Sequence, residues 1–115
     1  MSGYAIIVDF VLVPGKRSEF RRLVDRNARI SSTAERGCRH FDVLESREEA
    51  DRVLLYEVYE DEAAFEAHVQ SRHFDEFDTL SRPWDRHTVL TMPGPPVANH
   101  LSPSRVNKNS DNLAH

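Results

Sequence analysis

Three polar side chains stand at positions where the hydrophobic pattern of the chain predicts burial. Asn27 and His68 fall on the apolar stripes of two predicted helices, and Glu57 falls on the apolar face of a predicted strand. An unpaired buried polar group costs about 1–3 kcal/mol, and a charge costs more. A carboxylate beside an imidazole in an apolar pocket is how proton-transfer sites are built, because such surroundings perturb pKa values. If the three side chains converge, the pattern predicts such a site.

Each of these residues also has a purely structural interpretation. Taken alone, His68 fits a core histidine whose ring is hydrogen-bonded. Glu57 fits an ion pair with an arginine at the rim of the fold, and Asn27 fits a hydrogen bond to the backbone near a helix end. Spacing along the chain does not show whether the three meet. The two interpretations therefore remain open at the level of the sequence.

Other chemistries lack their primary signals. His68 and His73 are five residues apart, so on one continuous helix they would point in different directions, and Cys38 and His40 have no CxxC partner. No protein-bound metal is predicted. The chain has no GxGxxG, GxxxxGK[ST] or GxSxG motif, which argues against nucleotide-binding and serine-hydrolase functions. Cys38 is expected to be a buried, inert thiol, although Arg36 and Arg39 beside it favour a lowered pKa.

The elements that must position these residues follow from periodicity and turn signals. Strands are predicted at 4–13, 38–46, 52–60 and 85–92, and an amphipathic helix at 16–32. Two further helical segments are predicted to begin at the N-caps Asp61 and Ser71. The order β-α-β-β-α-β predicts an α+β, ferredoxin-like fold with a four-stranded antiparallel sheet and its helices on one face.

The other face of this sheet is also apolar. The first strand, YAIIVDFVLV, is interrupted only by Asp9, and the third strand carries Leu54, Tyr56 and Val58 on its second face. A monomer would expose several hundred Å² of apolar sheet, more than soluble monomers usually tolerate. We therefore expect a homodimer that packs sheet against sheet. The domain is predicted to span residues 1–92, and the proline-rich segment 93–115 is predicted to be an extended or disordered tail.

Composition sets outer limits on function. The chain has 115 residues, 15 Lys and Arg against 19 Asp and Glu, a net charge of −4 and one cysteine. An acidic protein without a basic patch is not expected to bind nucleic acid. No segment approaches the ~20 apolar residues of a membrane span, and no basic region followed by an apolar core marks a secretory signal. We expect a cytoplasmic protein without membrane partners.

Several of these residues occur together in an order that resembles the antibiotic biosynthesis monooxygenase superfamily. The resemblance covers about residues 4–92 and rests on the motifs GC-x-x-FDVL from Gly37, YE-x-Y from Tyr56 and AH-x-x-S-x-H from Ala67. Within the superfamily the sequence is most similar to small quinol monooxygenases and to the isomerase that processes phosphorylated autoinducer-2. The resemblance implies a dimeric α+β barrel with one pocket per subunit. The positions that match the family's pocket are Asn27, Phe41, Tyr56, Glu57, His68 and His73.

The resemblance also implies a chemistry. The family's monooxygenases use no flavin, haem or metal, since the ionised dihydroxyaromatic substrate itself reduces O₂. Glu57 or His68 would then be the catalytic base, while Asn27, Phe41, Tyr56 and His73 would bind the substrate. The isomerase relatives need nearly the same groups to enolise a carbonyl compound. A third possibility is a non-catalytic dimer that binds a small ligand. Haem-degrading relatives carry a Trp near position 68, which this chain lacks.

Overall fold

The computed structural model describes residues 3–93, which contain four strands and three α-helices. The predicted α+β class and four-stranded antiparallel sheet are confirmed. Beyond Pro93, the predicted tail lies outside the described residues. In chain order the elements are β1 (Tyr4–Leu12), α1 (Arg17–Ala34), β2 (Cys38–Glu45), β3 (Arg52–Tyr59), α2 (Glu62–Val69), α3 (Arg72–Ser81), a 3₁₀ turn (Arg82–Trp84) and β4 (Asp85–Thr91).

Local sequence signals explain where these elements begin. Gly15, with φ of 82°, makes the turn after β1, in the left-handed region that glycine tolerates best. Both predicted N-caps are confirmed. The Asp61 side chain accepts a hydrogen bond from the Ala64 backbone N–H at 2.9 Å, and Ser71 Oγ accepts one from the Phe74 backbone N–H at 3.2 Å. Two separately capped helices therefore follow β3.

The sheet has the strand order β2-β3-β1-β4, with every neighbouring pair antiparallel. Alternate residues of β1 and β3 form its buried face and pack against α1 and α3. At the centre of this core the ring of Phe20 on α1 lies 4.9 Å from that of Phe10 and 5.6 Å from that of Phe77 on α3. The other members of the cluster from β1, α1 and β3 are Ile6, Val8, Leu12, Val24, Val53, Leu55 and Tyr59.

The opposite face of the sheet is only partly covered within one chain. Ile7, Val11, Leu54 and Tyr56 on β1 and β3 are half-buried there. Leu44 on β2 and Val89 on β4 are 51% and 45% exposed on the flanking strands. The one acidic residue of β1, Asp9, is paired on this face, since Arg52 Nε donates to its Oδ1 at 2.9 Å. The second apolar face predicted from the strand pattern is therefore present.

Two details of the fold bear on what the chain exposes. Val69 is the last residue of the eight-residue α2, which buries only His68, and its side chain is 39% exposed. Among the described residues, no helix has both the length and the apolar character needed to cross a membrane.

Candidate active site

One carboxylate and two imidazoles from three separate elements meet beside the core. The Oε2 atom of Glu35 lies 2.8 Å from Nδ1 of His68 and also contacts Nε2 of His73. His68 is only 2% exposed, and the side chains of Glu35 and His73 are 17% and 15% exposed. With its proton on Nδ1, His68 donates to this carboxylate, which leaves the lone pair on Nε2. Within residues 3–93, no group hydrogen-bonds to that Nε2 atom.

The chain brings these groups together by ending helices at the right places. Glu35 is the C-cap of α1, where the backbone turns to an extended conformation. The break at Gln70 and Ser71 separates His68 on α2 from His73 on α3. The statement that these histidines would point in different directions applies to one continuous helix, and it does not apply to two separately capped helices. Their ring centroids are 5.7 Å apart.

Gly37 allows α2 to lie directly on the connection between α1 and β2. A Cβ atom at position 37 would lie 2.5 Å from Cβ of Ala64, closer than packed carbon atoms approach each other. The Glu60 backbone N–H donates to the Gly37 carbonyl at 2.7 Å and ties the end of β3 to the same point. This contact fixes the start of α2, and with it the position of His68 at the other end of the helix.

Glu57 lies on the buried face of the sheet, which packs against the helices, and it is only 4% exposed. The Tyr59 hydroxyl donates to its Oε1 at 2.6 Å. Burial raises the pKa of Glu57 to about 7, although the hydrogen bond from Tyr59 opposes this shift. Burial also lowers the pKa of His68, against the opposing effect of Glu35. At neutral pH the site therefore holds a neutral imidazole and a carboxyl group near its midpoint of titration.

Aromatic rings surround His68. Phe41 on β2, which pairs with Glu57 in the sheet, lies 5.9 Å from the imidazole between centroids. Tyr59 and Phe74 lie at 5.4 and 5.3 Å, and Phe65 at 6.5 Å. Such walls exclude water and strengthen electrostatic interactions inside the site.

Asn27 lines a small cleft between α1 and α3. The residue is 2% exposed, and its Oδ1 atom has no hydrogen-bond partner among the described residues. His73 lines the same cleft, together with Leu23, Arg26, Glu76 and Phe77. An acceptor buried without a donor costs about 1–3 kcal/mol, so Asn27 is suited to accept a hydrogen bond from a ligand hydroxyl.

The structure brings five of the six predicted site residues into one region and separates the sixth. Tyr56 lies on the open face of the sheet, where its ring is 5.6 Å from that of His40. Successive residues of a strand point to opposite faces, so Tyr56 and Glu57 cannot line the same pocket of one chain. Tyr59, which lies on the same face of β3 as Glu57, is the tyrosine beside His68. The thiol of Cys38 is buried and its pKa is raised to about 11, as expected for an inert cysteine.

Ser31 and Glu35 are site residues that the sequence analysis did not predict. The fully buried Ser31 hydroxyl lies 3.2 Å from Nδ1 of His68 and 3.1 Å from Nε2 of His73. The signal was present in the helical spacing, because Asn27, Ser31 and Glu35 follow one another at intervals of four on one face. The predicted helix ended at residue 32, which removed Glu35 from that face.

Comparison with known proteins gives a consistent result. The family model described as antibiotic biosynthesis monooxygenase matches residues 3–79. Among solved structures, Rv0793 from Mycobacterium tuberculosis is 29% identical, with a TM-score of 0.74 over 83% of this chain and 96% of that one. A protein from Nitrosomonas europaea, assigned to antibiotic biosynthesis monooxygenases without a demonstrated activity, is 24% identical. Its TM-score is 0.78 over 84% of this chain and 92% of that one. No curated protein matches.

Proposed function

The chain belongs to the antibiotic biosynthesis monooxygenase family, and from this premise we propose that it is a cofactor-independent monooxygenase. The proposed substrate is a small quinol or a phenolic, polyketide-like compound, and the co-substrate is O₂. The observation that supports this most directly is the environment of the His68 imidazole, whose pKa is lowered by burial. The ring is oriented through Nδ1 by Glu35 and carries its Nε2 lone pair inside an aromatic cage.

In this proposal His68 is the base. Nε2 accepts a proton from a substrate hydroxyl, and the Glu35 carboxylate stabilises the imidazolium that forms, as a carboxylate does in other histidine dyads. The electron-rich anion then reduces O₂. One oxygen atom enters the ring at a C–H carbon and the other leaves as water, so that quinol and O₂ give hydroxyquinone and water without an external reductant. Asn27 Oδ1 is placed to accept a hydrogen bond from a second hydroxyl of the substrate.

Glu57 supports a second candidate function. A carboxyl group whose pKa is raised to about 7, buried in the same region as a neutral imidazole, supplies an acid and a base together at neutral pH. Enolisation of a carbonyl compound needs this combination. An isomerase or tautomerase that acts on a small carbonyl compound, with or without a phosphate group, is therefore the alternative.

Oxygen consumption with a panel of naphthoquinols distinguishes these functions. Enzyme-dependent uptake above the autoxidation rate, with one water formed per O₂, supports monooxygenation. Substrate conversion that proceeds at the same rate without oxygen rejects it and supports isomerisation. If neither reaction occurs and an aromatic ligand raises the melting temperature, the protein is a ligand-binding module and the enzyme proposals are wrong.

We also propose that two chains form a homodimer through the open face of the sheet. Val89 on β4 lies on that face, opposite Asp9, whereas the next residue, Leu90, lies opposite Val8 on the other face. The side chains of Val89 and Leu90 are 45% and 48% exposed in one chain. Substitutions at these two positions therefore compare the two faces of the sheet at equal exposure.

Replacement of Val89 by aspartate is therefore expected to convert the dimer to a monomer, because a charge would be buried in the interface. Leu90→Asp is the control and is expected to leave the dimer intact. Light scattering on the eluted peak of a size-exclusion column gives the mass of each. A wild-type chain that is monomeric at micromolar concentration, or a Val89→Asp variant that remains dimeric, contradicts this arrangement.

A further inference from the structure

Four heteroatoms from three elements converge on one point between α1, α2 and α3. The Oγ atom of Ser31 and the Oε2 atom of Glu35 each contact both Nδ1 of His68 and Nε2 of His73. The three atoms supplied by Glu35 and the two histidines all lie within 4.8 Å of one another. None of the three side chains is exposed to the degree of an ordinary surface carboxylate or imidazole.

With Glu35 as a carboxylate, protons alone do not satisfy this arrangement fully. If both ring nitrogens carry a proton and donate to Glu35, the buried Ser31 hydroxyl has no acceptor among its partners. If one nitrogen is unprotonated and accepts from Ser31, its lone pair faces an oxygen lone pair of Glu35. Each assignment leaves either a buried donor unpaired or two lone pairs in contact, and both are unfavourable. A cation at the centre, bound by the nitrogen and carboxylate lone pairs, removes the conflict.

We propose that Glu35, His68 and His73 bind one divalent transition-metal ion, with Zn²⁺ as the representative ion. Two imidazole nitrogens and one carboxylate oxygen form a donor set that zinc uses in proteins, with ligand distances of about 2.0–2.2 Å and a fourth position left for water. Ligand atoms at such distances lie about 3–3.5 Å apart, so the two contacts of Glu35 Oε2 need only a small outward movement. Imidazole suits Zn²⁺ and its neighbours in the series, whereas Mg²⁺ and Ca²⁺ prefer all-oxygen sites.

The ion would regulate the proposed reaction rather than carry it out. A metal on Nδ1 of a neutral imidazole requires the ring proton to be on Nε2, because one nitrogen of the ring carries the proton and the other the bonding lone pair. The Nε2 atom that serves as base in the proposed mechanism would then be an N–H donor. Metal binding therefore switches the base off. This consequence rests on the proposed function, whereas the binding site does not.

Binding is measured without any substrate. Tag-free, full-length protein is titrated with Zn²⁺ by calorimetry and dialysed against Co²⁺ for visible spectroscopy. We expect one ion per chain and cobalt d–d absorption typical of nitrogen and oxygen ligands, without the intense thiolate charge-transfer band that ligation by Cys38 would give. Mg²⁺ is expected to give no binding heat. Because this part uses the wild-type chain, it does not depend on the folding of any variant.

Variants then locate the site. Glu35→Gln and His73→Ala are each expected to weaken Zn²⁺ binding at least about 10-fold, with folding checked by circular dichroism. The matched control is His40→Ala, which removes an exposed histidine 2.7 Å from Asp42, and it is expected to bind like the wild type. The absence of stoichiometric binding, equal binding by all variants or a thiolate band overturns the site. Stoichiometric binding that leaves enzyme-dependent oxygen uptake unchanged overturns the regulatory role and leaves the site itself supported.

Discussion

Replacement of His68 by alanine is expected to lower enzyme-dependent oxygen uptake by about 100- to 10,000-fold, the usual contribution of a general base. The loss follows because Nε2 of His68 is a buried basic atom that Glu35 orients through Nδ1 and that has no hydrogen bond within the described residues. Uptake is recorded with an oxygen electrode, against the autoxidation rate of the same naphthoquinol.

The Glu35→Gln variant tests whether Glu35 only orients the His68 ring or also stabilises its protonated form. The amide can still occupy the place beside Nδ1, but it carries no charge to stabilise the imidazolium. We expect a smaller loss of activity than in His68→Ala and a displaced pH profile. His40→Ala, an exposed histidine outside the site, serves as the control and is expected to remain fully active. Wild-type rates in both His68→Ala and Glu35→Gln would show that the base lies elsewhere.

Glu57→Gln is expected to stabilise the folded protein above pH 7. The pKa of Glu57 is raised from 4.5 to about 7 in the folded state, because burial penalises the charged form more than the Tyr59 hydrogen bond favours it. The folded chain therefore binds this proton more tightly than the unfolded chain. The resulting stability is fully present below pH 4.5 and is lost as the pH rises through 7. The full shift corresponds to about 3 kcal/mol.

Glutamine keeps an oxygen that accepts from Tyr59 and never ionises, so the variant avoids this loss. Urea denaturation at pH 5 and pH 8 measures the effect. The gain relative to the wild type is expected to be small at pH 5 and to approach about 3 kcal/mol at pH 8. Glu60→Gln, at an exposed position directly after β3, is expected to change stability by less than about 0.5 kcal/mol at either pH. A Glu57→Gln variant that is less stable than the wild type at pH 8 contradicts the assignment.

The fold was predictable because the signals that specify it are local. Runs of β-branched and aromatic residues bounded by turn signals defined the strands, an apolar stripe that includes Phe20 and Val24 defined the first helix, and Asp61 and Ser71 marked where the next two helices begin. The polar residues at buried positions were predictable for the same reason, since burial follows from periodicity. Asn27, Glu57 and His68 are 2–4% exposed, as the pattern indicated.

The way in which the residues of the candidate site come together was harder to predict from the sequence. Glu35 was missed because it lies beyond the predicted end of the first helix. The position of a helix end depends on tertiary contacts, which cannot be read from the sequence. His68 and His73 meet only because the chain bends at Ser71. Tyr56 was placed with the pocket by family resemblance, although the twofold alternation of the strand puts it on the face opposite Glu57.

The glycine at position 37 has a consequence for altering the substrate range. Since α2 packs against the Gly37 backbone through only the Ala64 methyl group, the distance of His68 from the sheet is set by a contact with the main chain. Substitution of neighbouring side chains cannot adjust it gradually. Phe41, Phe65 and Phe74, which surround the imidazole without holding it in place, are the positions where a larger or smaller substrate can be accommodated while the base keeps its aim.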